Sequence, residues 1–223
     1  MSQVEIQTKL DNTSTGRYLT AGKKNSETCP GMSLWSFVIE CNLVIKYVKM
    51  GGCHSFPGKI LFLKACDRND LDKVRHLLGL GANVNWRRAS DGKSGFHIAA
   101  MKNYEELLEL LLSQPGVDVN ITDKRNETPL MVACLEGHEN IVRRLCQVNG
   151  IDPNIRDYLD IGYTALQHAV DANSPRCVEI LRTLPNVDWN VPTTVAVEQG
   201  RVKILEIILS VPHLDLSVTD GKG

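Results

Sequence analysis

Between Ile60 and Leu209 the apolar residues fall into paired blocks, each long enough for about two turns of helix. One block of each pair is densely apolar: "ILFLKACDRN" (60–69), "SGFHIAAMKN" (94–103), "TPLMVACLEG" (128–137), "TALQHAVDAN" (164–173) and "VPTTVAVEQG" (191–200). The other places apolar residues every third or fourth position, as a half-buried helix does: "LDKVRHLL" (71–78), "YEELLELLL" (104–112), "HENIVRRL" (138–145), "SPRCVEIL" (174–181) and "RVKILEIIL" (201–209). Each pair is followed by "ANVN", "VDVN", "DPN", "VDWN" or "LDLS". Ala65, Ala99, Ala133, Ala169 and Ala196 hold one place in all five units, with spacings of 34, 34, 36 and 27 residues. A unit of this size buries its faces only by stacking on its neighbours, so stability becomes a sum of nearest-neighbour interfaces.

The unit from 123 to 156 explains the pattern best. Thr128 is placed to cap the first helix and Pro129 to occupy its first turn, where a missing N–H costs nothing. Ala133 lets helices of adjacent units approach closely. Gly137 supplies a left-handed position that closes the helix, and Ile141, Val142 and Leu145 form the inward face of the second. The Asp-x-Asn that follows suits a turn, since both side chains can bond local backbone groups. With Thr-Pro-Leu-x-x-Ala, Gly-His and a Val-Asp-x-Asn tail repeated in register, residues 59–223 resemble the ankyrin repeat family. The resemblance implies an all-α fold: an ankyrin-type α-solenoid of stacked helix-turn-helix repeats joined by β-hairpin loops. Five repeats are expected at about 59–88, 89–122, 123–156, 157–190 and 191–219, with the start of another at 220–223.

The units are not uniform. The first lacks Thr-Pro-Leu-His and reads as an N-terminal capping repeat. Between Asn190 and Val191 no residues remain for a hairpin, where the other units have seven to nine. That junction is either tighter and distorted or the product of splicing. The final "TDGKG" matches the opening of a further hairpin, so a longer array is expected, with Ile204, Ile207, Ile208 and Leu209 facing solvent in its absence. Residues 1–33 are polar and read as a disordered tail. Residues 34–58 form an apolar segment and a loop, a possible N-terminal cap.

Composition narrows the function. Aromatic residues make up 5% of the chain, which favours thin layers of small side chains over one thick core. With 25 basic and 26 acidic residues, no global charge calls for nucleic acid or an anionic membrane. The longest apolar stretch, Leu34 to Val48, is interrupted by Glu40, Asn42 and Lys46 and is too short to span a bilayer. Seven cysteines without a C-x-x-C pair fit a reducing compartment, the cytoplasm or nucleus. Three N-x-S/T triplets, at Asn12, Asn120 and Asn126, matter only in a secreted protein.

No catalytic signature is present: G-x-S-x-G, H-E-x-x-H, phosphate-binding and kinase motifs are all missing. Cys29, Cys41 and Cys53, beside His54, lack the short spacing of a structural zinc site, so no metal and no cofactor are expected. The resemblance assigns His97 and His138 to hydrogen bonds within and between repeats. His168 has no partner acid, Ser or Cys at a telling spacing. The expected function is therefore a protein-interaction module, an adaptor or scaffold acting as a monomer on a protein partner. The alternatives are a substrate-receptor or regulatory subunit, as in a ubiquitin ligase, or a fragment of a longer enzyme or channel.

The resemblance places partner contacts at the hairpin tips and the exposed side of the first helices. The hairpin candidates are Trp86, Arg87, Arg88, Asp91, Lys93, Lys124, Arg125, Glu127, Asp160, Ile161 and Tyr163. Those on first helices are Met101, Lys102, Leu135, Glu136, Asp171, Glu198 and Gln199. Early slots are mostly basic and later ones mostly acidic. Trp86 with Arg87 and Arg88 stands out, since Trp and Arg dominate interface hot spots; the competing reading is a solvated hairpin with one packed indole. Trp189, in the Val place of Val-Asp-x-Asn, is expected in the core.

Overall fold

The computed structural model describes residues 56–158, 162–189, 196 and 200–211. Among these lie α1 (Phe56–Asp67), α2 (Leu71–Gly79), α3 (Gly95–Lys102), α4 (Glu105–Leu112), α5 (Pro129–Leu135), α6 (Glu139–Cys146), α7 (Ala165–Asp171), α8 (Pro175–Leu181) and α9 (Val202–Leu209). The fold is an all-α ankyrin solenoid. First helices α1, α3, α5 and α7 stack in series, and second helices α2, α4, α6, α8 and α9 form a parallel row behind them. The tail at 1–33, residues 34–55 of the apolar segment and loop at 34–58, and Cys29, Cys41 and Cys53 lie outside the described residues.

Local chemistry accounts for the helix ends. Thr128 Oγ1 accepts the N–H of Met131 at 3.2 Å, and Pro129 opens α5. Thr164 caps α7 in the same way. Helix α1 begins at Phe56, inside the stretch the sequence assigns to a loop, because Pro57 is tolerated in a first turn as Pro129 is. The position closing each first helix has a positive φ in all five repeats: Asn69 (54°), Asn103 (56°), Gly137 (70°), Asn173 (52°) and Gly200 (64°). Only Gly and Asn adopt that conformation at little cost, and no other residue occupies the position.

The alanines at 65, 99, 133, 169 and 196 are buried, and the core continues through Phe62, Leu107, Leu111, Leu130, Leu145 and Leu181. At the far end Ile204 and Ile208 are fully buried, contrary to the expectation that they face solvent, because α9 packs on α8. Val202 and Leu209, 65% and 59% exposed, are the apolar residues left open. Trp189 is half-buried against the core.

The hairpins are shorter than β-hairpins with strands. Among the described residues the pairing reduces to one antiparallel bridge, Arg87 with Ser94. Single bonds close the next two: Asp123 N–H to the Glu127 carbonyl and Asp157 N–H to the Tyr163 carbonyl, both 3.0 Å. Remaining backbone groups turn to the neighbouring hairpin, with Lys124 N–H on the Asp91 carbonyl (3.0 Å) and Tyr158 N–H on the Arg125 carbonyl (2.8 Å).

A second set of bonds links the repeats through the Asn of each tail. Asn85 Nδ2 donates to the Gly116 carbonyl and its Oδ1 accepts the Asp118 N–H. Asn120 repeats both bonds on Gly150 and Asp152, and Asn154 on Asn186 and Asp188. Two residues before each, Asn83, Asp118 and Asp152 bond the local backbone as a turn requires. The tail therefore divides its work: the earlier residue shapes the turn and the final Asn ties it to the next repeat.

Candidate protein-interaction face

The buried side of each hairpin is built from acids. Asp123 Oδ1 accepts the N–H of Arg125 at 2.8 Å and of Glu127 at 3.0 Å. Asp91 Oδ1 accepts the Lys93 N–H at 3.0 Å, and Asp157 Oδ1 accepts that of Tyr163 at 2.7 Å. These carboxylates stand in for the strand ladder the short loops cannot form.

Histidines complete the frame. His97 donates from Nε2 to the Glu127 carbonyl of the next hairpin (2.9 Å), while its Nδ1 accepts from the Ser94 N–H (3.2 Å) and hydroxyl (2.8 Å). Burial holds its pKa below the ordinary 6.5, so the ring is a neutral tie in the Nε2–H form. His138 Nε2 donates to the Met101 carbonyl at 3.2 Å. Both histidines bond between repeats, as the resemblance implies. His168 differs from expectation: its Nε2 meets Asp157 Oδ2 at 2.9 Å in a buried pair. The partner lies across the hairpin, at a separation that no sequence motif marks.

The candidate contact residues separate into two groups. In the first are residues consumed by packing. Trp86 is half-buried and meets Phe62 edge-on, with ring centroids 5.9 Å apart, as a packed indole does. Arg88 pairs with Asp67 (3.8 Å) and Asp91 (3.4 Å), and Lys102 with Asp67 (3.0 Å). Lys93 reaches Met101 Sδ at 3.8 Å, and Met101 itself packs against the core. Tyr163 lies edge-on to His168 at 5.6 Å. Glu127 is only 5% exposed, so its side chain is not presented to a partner. Burial, then the Asp123 carboxylate, pushes its pKa up.

The second group is open. Arg87, Lys124, Arg125, Leu135, Glu136 and Asp171 are exposed. Asp160, Ile161, Glu198 and Gln199 lie outside the described residues. Tyr158, 75% exposed, joins the group although sequence reasoning passed over it. Its register gave the signal: Tyr158 follows Asp157 as Lys124 follows Asp123.

Nucleophilic chemistry is poorly served. Burial pushes the Cys66 and Cys146 thiols up to about 12 and raises Cys134 and Cys177 as well, so none has thiolate character at neutral pH. Among the described residues no three His, Cys, Asp or Glu side chains cluster to hold a metal ion, and no helix is long and apolar enough to cross a membrane.

Residues 61–157 match the family model for ankyrin repeats in three copies. The chain carries ankyrin repeats. Such repeats are non-catalytic protein-interaction modules. The chain is 32% identical over 155 residues to the probable E3 ubiquitin-protein ligase XBOS32 of Oryza sativa subsp. japonica, covering 67% of itself and 30% of that protein. It is 34% identical over 137 residues to the E3 ubiquitin-protein ligase KEG of Arabidopsis thaliana, covering 59% of itself and 8% of the relative. With the ankyrin repeat and KH domain-containing protein mask of Drosophila melanogaster it shares 38% identity over 88 residues, 38% of this chain and 2% of that one. The chain thus spans under a third of the length of these relatives.

Proposed function

We propose that this chain binds a protein partner through its hairpin tips and the exposed side of α3, α5 and α7, and has no catalytic activity of its own. One contrast carries the reading. On the second helices the exposed polar groups engage each other, with Asn140 Nδ2 on Glu105 Oε1 at 2.8 Å and Arg144 clasping both carboxylate oxygens of Glu109. On the other face Lys124, Arg125, Leu135 and Tyr158 remain exposed, with the Lys124 terminus held only by the Ser90 carbonyl and the Arg125 terminus 3.8 Å from Glu127 among the described residues. Specificity then resides where the repeat leaves residues free to vary.

A reducing cytoplasm or nucleus suits this role. The amides of Asn120 and Asn126 are spent on the Gly150 and Arg156 carbonyls, so a glycan at either would break a tie between repeats. The alternative is a substrate-recruiting part of a ubiquitin ligase, supported by the names of two relatives. The two readings separate in a ubiquitylation assay with the captured partner as substrate.

The binding reading is tested by capturing the partner from cells and measuring its affinity for Leu135→Arg, Asp171→Arg and, on the opposite face, Arg143→Glu. Losses confined to the first two are expected. A loss at Arg143→Glu alone would reverse the assignment of faces.

A further inference from the structure

Acidic and basic residues alternate along the hairpins in sequence, and folding sorts them. Asp123 and Asp157 are buried with their carboxylates on backbone N–H groups and on His168, and Glu127 is buried beside them. In the first hairpin Asp91, Arg88 and Lys93 are all half-buried, with Arg88 paired to Asp91, while Arg87, Lys124 and Arg125 stay outside. Arg87 donates to the Thr122 carbonyl at 2.9 Å and Lys124 to the Ser90 carbonyl at 2.8 Å, neutral acceptors, and neither pairs with a carboxylate among the described residues. The Arg125 side chain, 71% exposed, has one carboxylate oxygen of Glu127 at 3.8 Å. Tyr158 extends the row on the next hairpin, its N–H bonded to the Arg125 carbonyl.

We propose that the row Arg87, Lys124, Arg125 and Tyr158 binds an acidic peptide segment laid across the hairpin tips, with an apolar side chain against the Tyr158 ring. This rests on the protein-binding reading above and adds the chemistry of the partner. Stacked helices lie about 8–10 Å apart, and an extended chain advances about 3.3 Å per residue. One repeat therefore matches about three peptide residues, so the fitting pattern is an acid at every third place followed by an apolar residue. Nucleic acid fits less well. A duplex presents a charge about every 1.7 Å and calls for a continuous basic groove, whereas this row ends in an aromatic ring on a chain of net charge −1.

The test titrates the full chain into three labelled probes and follows anisotropy at low and high salt. The probes are a peptide with Glu at every third place and a terminal Leu, its Lys counterpart, and an oligouridylate. Binding of the Glu peptide that weakens with salt is expected. Lys124→Glu/Arg125→Glu should weaken it about tenfold or more, and Tyr158→Ala several-fold, with circular dichroism unchanged. The proposal is overturned if the Glu peptide fails to bind, if the Lys peptide or oligouridylate binds as well or better, or if the double reversal has no effect. The captured partner distinguishes this failure from that of the wider reading. A partner kept by the double reversal but lost with Leu135→Arg and Asp171→Arg removes only the acidic-peptide proposal; one kept through all these variants removes both.

Discussion

In the second repeat the buried His97 imidazole finds its acceptor, the Glu127 carbonyl, on the hairpin of the third. In the fourth, Gln167 occupies the same helical position and is equally buried, yet its Nε2 has no hydrogen-bond partner among the described residues. Its Oε1 still accepts the Thr164 N–H at 2.8 Å, so the half of the role that serves its own helix survives. The difference lies in the neighbouring repeat on the C-terminal side. The third repeat contributes a complete hairpin, whereas the sequence leaves no residues for one between Asn190 and Val191. A hairpin in this array is therefore also an acceptor for the repeat before it. Met131 in the third repeat shows a third solution: its Sδ lies 3.3 Å from the Thr128 nitrogen, and no outward donor remains to satisfy.

The largest test of this contrast is in the core. Leu111→Ala, at a fully buried site in the array's interior, should cost about 2–5 kcal/mol in urea unfolding. Ile208→Ala makes a comparable deletion on α9, which packs on α8. It should raise amide exchange in α9 while α3 to α6 keep their protection. A global loss as large as that of Leu111→Ala would mean that the two ends of the array are equally coupled.

The asparagine ties come next. Asn120→Ala removes two bonds and leaves the Gly150 carbonyl and Asp152 N–H without this partner, a cost of about 1–2 kcal/mol measured by the same unfolding. No loss would make the ties ornamental to the junction.

A pH experiment isolates His97. Its folded pKa is lowered, so the unfolded chain takes up a proton below the ordinary 6.5 that the folded chain resists. Stability contributed by the neutral ring is present above that value and lost as pH falls below it. Glu127 acts with the opposite sign at lower pH, because its pKa is raised above 4.5 and it favours the folded state when protonated. His97→Met, which copies Met131, should therefore show a shallower fall in urea midpoint from about pH 7 to pH 5.5 than the parent chain. Identical slopes would assign the acid sensitivity elsewhere.

The smallest effect has the opposite direction. Gln167→Met removes the stranded donor and should stabilise the chain by about 1 kcal/mol. Destabilisation would show that Nε2 has an acceptor after all.

Much of the stack was legible from residues whose role is local and sterically narrow. The five alanines, Gly137 at the close of its first helix, and the Thr–Pro start of α5 each admit few substitutes, whereas the Asn that closes three other first helices showed its role only in the fold. Ties between repeats were not legible, because Asn85, Asn120 and Asn154 bond groups about thirty residues away with the same side chain a local turn would use. The face was read in part. Leu135, Lys124 and Arg125 are exposed as their slots implied, but Glu127 sits where the hairpin turns inward and Trp86 finds Phe62. Tyr158 was obscured by the two residues that lengthen its hairpin over the preceding one and shift attention to Tyr163.

On the proposed reading the stack spends one set of residues on itself and offers the hairpin row with the exposed side of the first helices to a partner. Hydrogen exchange of the full chain with and without its captured partner tests this most directly. Added protection is expected in 86–93, 123–127 and 156–158 and at the ends of α3, α5 and α7, with Glu105–Leu112 and Glu139–Cys146 unchanged. Protection confined to those two second helices would contradict the claim.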